Sequence, residues 1–207
     1  MNNTVNSLHH FILNGTNISK TFKKNAKPVL ENISFTAESG QCIGILGANG
    51  CGKSTLLSIL AGAQHADCGT LTLNGKNLFD SKTPSRKEIG YVPQENPLIE
   101  ELTAYDNLRL WYCDSRLKLK AELENGILAM LGIPDYLHVR VNQMSGGMKK
   151  RLNIGCAVAQ DPPVLLLDEP GAALDLICKE RIGVYLRNRK AQGKIILIAT
   201  HEEQEID

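Results

Sequence analysis

The chain has no C-x-x-C pair, no excess of basic charge and no long hydrophobic run, and each absence removes a class of protein. Its six cysteines stand at 42, 51, 68, 113, 156 and 178, never closer than nine residues, which excludes the ligand spacing of structural zinc sites. Lys and Arg count 23 against 22 Asp and Glu, a net charge of +1, so the basic surplus of a nucleic-acid binder is missing and no nucleic-acid partner is expected. The longest apolar runs, 164–167 and 195–199, fall far short of the ~20 residues of a spanning helix. Mean hydropathy is -0.16, so no direct membrane span is expected and any work at a membrane is peripheral. Near the N-terminus the only apolar run is Phe11-Ile12-Leu13, too short for the core of a secretory signal. The N-x-S/T matches at Asn2, Asn14, Asn17 and Asn32 therefore read as chance, the scattered thiols as those of a reducing cytosol, and His9-His10 as mere neighbours.

What is present suits an ordinary globular domain: 207 residues, 43% hydrophobic and 22% charged, without repeats or low-complexity segments. The first forty residues read as short β segments, with β-rich stretches at 17–22 and 33–36 punctuated by Pro28 and Gly40. The run 41–46 reads as a strand, 47–55 as a glycine-rich loop and 56–61 as a helix. Leu71 to Leu73 followed by Asn74-Gly75 reads as a strand entering a hairpin. From 102 to about 130 the apolar residues recur at helical spacing, a helical insertion closed by Gly132-Ile133-Pro134. A helix after Ser145-Gly146-Gly147, a buried strand at 164–167, a helix at 174–189 and a buried strand at 194–200 complete an α/β pattern with a mostly parallel sheet.

Gly47-Ala48-Asn49-Gly50-Cys51-Gly52-Lys53-Ser54-Thr55 satisfies G-x-x-x-x-G-K-[ST] without a mismatch, between a strand and a helix. The chemistry calls for these residues: glycines let successive backbone N–H groups turn onto phosphate oxygens, and the helix start adds its positive dipole end. Lys53 is expected to reach the β and γ phosphates of a bound nucleotide, and Ser54 to offer a hydroxyl to Mg²⁺. Asp168 ends the apolar run 164–167, where a second carboxylate directed at Mg²⁺ belongs. Glu169, next in the chain, is placed to polarise an attacking water. Cys51 lies within this loop at the start of a helix, so thiol reagents are expected to inhibit and a bound nucleotide to protect. The cluster Lys149-Lys150-Arg151 reads from charge alone as a solvated helix face.

Together these residues resemble the ATP-binding cassette (ABC) ATPases, over essentially the whole chain. Met144-Ser145-Gly146-Gly147-Met148-Lys149-Lys150-Arg151-Leu152 looks like the family's signature, and it precedes the Asp168-Glu169-Pro170 segment by about twenty residues. The resemblance implies roles for further residues. Gln94 in Tyr91-Val92-Pro93-Gln94 matches the Q-loop glutamine, which contacts Mg²⁺ or the water. Asp175 after Ala173-Leu174 matches the D-loop at the dimer interface, and His201 matches the switch histidine at the γ-phosphate. Phe22 lies where the family stacks an aromatic on adenine, although from the residues alone a core phenylalanine reads equally well.

The implied fold is a P-loop NTPase core with a mostly parallel sheet, an N-terminal antiparallel β subdomain and a helical insertion subdomain. One cassette is expected, with core and β subdomain at about 1–94 and 160–207 and the helical subdomain at about 95–159. The implied mechanism pairs two cassettes head to tail, as a homodimer or heterodimer, so that Ser145, Gly146, Gly147 and Met148 of one close on ATP held by the other. Transmembrane permease subunits would dock between core and helical subdomains, near Gln94 and 95–111, placing the chain on the cytoplasmic face of the cell membrane. The Ser-Gly-Gly-Met-Lys-Lys-Arg-Leu form of the signature resembles exporters. Import, a soluble non-transport ABC ATPase in cofactor assembly, translation or repair, and a nucleotide-binding regulator remain alternative readings. Two departures stand out: Gly171 replaces the family's usual Thr, and only six residues follow His201, so the C-terminal end is expected to be short or lost.

Overall fold

A computed structural model describes residues 10–22, 27–80 and 87–201. The expectations for Asn2, for His9 and for the tail 202–207 concern residues outside those described.

In chain order the elements are β1 (Ile12–Lys20), β2 (Leu30–Glu38), β3 (Cys42–Leu46), α1 (Lys53–Leu60), β4 (Cys68–Leu73), β5 (Lys76–Asn77) and β6 (Ile89–Val92). There follow α2 (Ala104–Tyr112), α3 (Leu119–Asn125), α4 (Ile127–Met130), α5 (Gly146–Ala157), β7 (Val164–Asp168), α6 (Leu176–Ala191) and β8 (Ile195–Thr200), with 3₁₀ turns at Ile133–Tyr136 and Val141–Gln143. Two sheets form, one antiparallel in the order β2-β1-β4-β5 and one in the order β3-β8-β7-β6. Every pairing in the second is parallel.

The parallel sheet owes its place to side chains buried on both faces. Along β7, Val164 and Leu166 pack with α1 and the antiparallel sheet, whereas Leu165 and Leu167 face the core around α2, α4 and α5. β8 alternates the same way, with Ile195, Leu197 and Ala199 on the first side and Ile196 and Ile198 on the second. One sheet thus separates two apolar cores and is held from both sides.

The expected hairpin is present: β4 pairs antiparallel with β5 across Asn74-Gly75, Leu73 facing Lys76. β1 and β2 run longer than the expected short segments, because a register shift between Gly15 and Ile18, with Asn17 at φ 52, interrupts the alternation that marks a strand. The helical run from 102 is broken into separate helices. The Ser115 hydroxyl donates to the Ala159 carbonyl and accepts from the Leu117 N–H, which ends the first of them. α2 itself starts on a reciprocal cap, with Asp106 N–H donating to Thr103 Oγ1 and Thr103 N–H to the Asp106 carboxylate.

Candidate functional site

Because β3, β8, β7 and β6 run parallel, their C-terminal ends share one edge, and the residues singled out above sit there in spatial order. The glycine loop 47–52 follows β3, His201 follows β8, Asp168 and Glu169 close β7, and Gln94 lies just past β6. A ligand crevice belongs at this edge of an open parallel sheet.

The loop residues Gly47, Ala48, Asn49, Gly50 and Cys51 are exposed, and Gly52 caps α1 at φ 103 with no side-chain cap on the first turn. A Cβ on Gly52 would stand 2.9 Å from the Val29 carbonyl oxygen, so both its backbone angle and its space call for glycine. Lys53 is buried, and its Nζ donates to the carbonyls of Gly47 at 2.6 Å and Ala48 at 3.3 Å. The ammonium is thereby folded over the loop's own hollow. Ser54 and Thr55 stand in the first turn of α1, Ser54 exposed and Thr55 half-buried.

Asp168 is 1% exposed, and neither carboxylate oxygen has a hydrogen-bond partner. Burial pushes its pKa up, and the neighbouring Glu169 adds to the rise. The Ser54 hydroxyl and the Lys150 and Lys53 ammoniums oppose it. Two orphaned carboxylate oxygens beside a hydroxyl form a hard, oxygen-only donor set, which fits Mg²⁺.

Glu169 has a backbone φ of 47 and is tied to the next strand by its N–H, which donates to the Ala199 carbonyl at 2.8 Å. Its side chain lies between two expected partners. Nδ1 of His201 is 3.3 Å from Oε1, and Nε2 of Gln94 donates to Oε2 at 3.4 Å. A carboxylate held from both sides, next to a metal-type carboxylate, can receive a proton from water.

Ser145 caps α5, its Oγ accepting from the Met148 N–H at 3.3 Å, and Ser145 and Gly146 are exposed. A Cβ on Gly147 would stand only 2.9 Å from the Ala173 carbonyl oxygen, so the signature segment abuts the segment leading to Asp175 within one chain. Asp175 caps α6, its carboxylate accepting from the Cys178 N–H at 2.8 Å, and Leu176 and Ile177 beside it are strongly exposed. The structure does not bring Ser145 to Glu169's cluster by any hydrogen bond among the described residues.

Phe22 is exposed, not a core residue, with the Lys20 ammonium 5.8 Å from its ring centroid. The Val29 N–H donates to the Lys20 carbonyl at 2.8 Å, and the Val29 carbonyl faces Gly52. That places the end of β1 beside the glycine loop.

The basic cluster corrects the expectation of a solvated face. Lys149 pairs with Glu100 at 3.1 Å near the surface, and Arg151 donates to the carbonyls of Gly147 and Leu131 with its guanidinium 5.3 Å from the Tyr136 ring centroid. Lys150 is buried, donating to the carbonyls of Pro93 and Asp168. No sequence signal separates Lys150 from its two charged neighbours.

Residues 30–172 match the family described as ABC transporter. The Nod factor export ATP-binding protein I of Sinorhizobium fredii is 40% identical over 93% of this chain and 56% of its own length. The linearmycin resistance ATP-binding protein LnrL of Bacillus subtilis is 31% identical over 95% of this chain and 63% of its own length. Among solved structures, the dimeric structure of a bacterial ABC transporter cassette superposes with a TM-score of 0.83 at 28% identity, over 94% of this chain and 90% of that one. A post-hydrolysis cassette bound to ADP and Pi superposes equally well, with a TM-score of 0.83 at 27% identity over the same shares. The chain belongs to the ABC transporter family, and its fold is that of an ATP-binding cassette. It spans 56% and 63% of the length of the two relatives described.

Proposed function

We propose that this chain binds Mg²⁺-ATP and hydrolyses it to ADP and phosphate as the nucleotide-binding subunit of an ABC transporter, in the export direction. The observation that carries the reading is the strand-end row in which Glu169 stands between His201 and Gln94, next to the partnerless carboxylate of Asp168. In this reading the backbone N–H groups of 47–52 and the start of α1 cradle the phosphates, with Lys53 turning from its loop carbonyls to the β and γ oxygens. Phe22 offers its ring to the adenine. Ser54, Asp168 and Gln94 are the residues that would hold Mg²⁺. Bound there, Mg²⁺ supplies charge neutralisation at the β and γ phosphates. Glu169 takes the proton of the attacking water, while His201 and Gln94 fix the direction of its carboxylate.

The exposed Ser145 and Gly146, together with Met148, the close Gly147 and the projecting Asp175-Leu176-Ile177, suit contact with a second cassette whose ATP they would cover. A dimeric cassette among the structural relatives supports that arrangement. A groove of about 800 Å³, lined by Phe79, Tyr91, Pro97 and Trp111 among others, lies beside β6 and suits a transmembrane subunit. No helix among the described residues is long and apolar enough to cross a membrane. The proposed place, through those transmembrane partners, is peripheral on the cytoplasmic face. The names of two relatives, an export protein and a resistance protein, support export.

The direct test is phosphate release from Mg²⁺-ATP by the purified chain, beside equilibrium ATP binding with and without Mg²⁺. Mg²⁺-dependent binding with turnover is expected, and lost in Lys53→Ala. A chain that binds no ATP overturns the reading.

A further inference from the structure

Lys150 is one residue of a basic triplet, yet it is 2% exposed while both neighbours reach the surface. A buried ammonium demands acceptors. Its Nζ finds them 3.1 Å from the Pro93 carbonyl oxygen and 3.1 Å from the Asp168 carbonyl oxygen, at the ends of the neighbouring parallel strands β6 and β7. Those two carbonyls have a common property. The first belongs to the peptide group directly ahead of Gln94, the second to the peptide group directly ahead of Glu169. Gln94 and Glu169 then meet side chain to side chain at 3.4 Å. A second polar residue of α5 works one turn further on: Asn153, also buried, donates from Nδ2 to Asn96 Oδ1 at 3.1 Å, two residues beyond Gln94.

We propose that Lys150 is a positioning residue of the hydrolytic site, its ammonium clamping the peptide groups ahead of Gln94 and Glu169 so that the two side chains meet. This rests on the ATPase reading above. The clamp comes from α5, the helix that Ser145 caps, so the same helix that carries the signature segment also sets the geometry of its own chain's Glu169. Glu169 needs such restraint because its φ of 47 is a conformation that side-chain-bearing residues rarely adopt. A lysine serves where a methionine of similar length would not, since two carbonyls converge on one point and call for a multivalent donor.

The test compares wild type with Lys150→Met, Lys150→Gln and Lys150→Arg, by ATP hydrolysis and by backbone hydrogen exchange of the ATP-free chain. Lys150→Met is expected to lower kcat at least tenfold with the KM for ATP within twofold, and Lys150→Arg to recover most of that loss. Amides at 94–96 and 169 are expected to exchange at least tenfold faster in Lys150→Met, those of β3 and β8 as in wild type. Should the methionine variant not fold, Lys150→Gln carries the same comparison, with a single uncharged donor group. Wild-type kcat in the Met or Gln variant, wild-type exchange at 94–96 and 169, or a matching rise in KM overturns the proposal. Turnover absent from the wild type, with the exchange difference intact, overturns the ATPase reading while supporting the clamp.

Discussion

Nδ1 of His201 lies 3.3 Å from Oε1 of Glu169, two residues carried on the ends of adjacent parallel strands. The other oxygen of Glu169 accepts from Gln94, so both of its oxygens are engaged from neighbouring strand ends. Glu169→Gln keeps the volume and can keep both contacts, but it removes the proton acceptor. Hydrolysis is expected to fall by about 10²-fold or more, in the range that removal of a general base produces. ATP binding survives, so the Mg²⁺-ATP form accumulates as a dimer that the mass in solution reports by light scattering. Turnover at the wild-type rate would remove Glu169 from the role of base.

Gly146 and Gly147 are neighbours in sequence but unequal in space. A Cβ on Gly146 would meet the Ala173 side chain at an ordinary 3.7 Å, whereas one on Gly147 would press on the Ala173 carbonyl at 2.9 Å. Backbone cannot swing aside as a side chain can. Gly147→Ala is therefore expected to displace the segment leading to Asp175, at a cost of about 1–3 kcal/mol as for an overpacked contact. Gly146→Ala leaves that segment in place. Thermal unfolding reads the difference directly, and the dimer formed by Glu169→Gln should weaken when Gly147→Ala is added. Equal unfolding temperatures for the two alanine variants would contradict the packing argument.

The parts of this site that could be read from sequence are the ones built by local chemistry. The stretch 41–61 carries its strand, loop and helix within one segment, and the buried run at 164–167 announces both its strand and the carboxylate that ends it. Lys150 could not be read, because what buries it are carbonyls 57 and 18 residues away in the chain, brought together only by the parallel sheet. The extent of β1 was hidden for another reason: the shift between Gly15 and Ile18 breaks the two-residue period that sequence reading relies upon. Phe22 reads equally as an adenine-stacking ring and as a core residue, because nothing in its neighbours decides between them; the structure leaves it exposed.

Cys51 lies exposed in the glycine loop, while Cys156 and Cys178 are buried. A thiol reagent reaching Cys51 would place its bulk against Gly47, where even the native Sγ lies 2.7 Å from the position of a Cβ. Maleimide modification is expected to abolish ATP binding, and prior incubation with ATP to protect. Cys51→Ala should bind ATP normally and resist the reagent. Inhibition that persists in Cys51→Ala would transfer the effect to another cysteine, with Cys68 and Cys113 the exposed alternatives.

Asp168 sets function against stability. Its carboxylate is buried without a hydrogen-bond partner, and its pKa stands above the ordinary carboxylate value chiefly through that burial. A carboxyl with a raised native pKa binds its proton more tightly folded than unfolded, so ionisation destabilises the fold. The penalty is absent below the unfolded pKa, grows as the pH rises toward the native pKa, and is complete above it. Asp168→Asn removes the charge while keeping the shape. In EDTA near neutral pH it is expected to be more stable than wild type by about 1–3 kcal/mol, the extra cost of burying a charge rather than a neutral amide. For a chain of this size that amounts to roughly 2–4 °C in Tm per kcal/mol. With Mg²⁺ and ATP the order should reverse, because the wild type gains the ligand's binding energy and the variant, lacking the metal carboxylate, gains less. Paired melting curves across pH, with and without Mg²⁺-ATP, check both halves. A metal-free wild type that outlasts Asp168→Asn at neutral pH would show that Lys53, Lys150 and Ser54 together more than offset the burial of that charge.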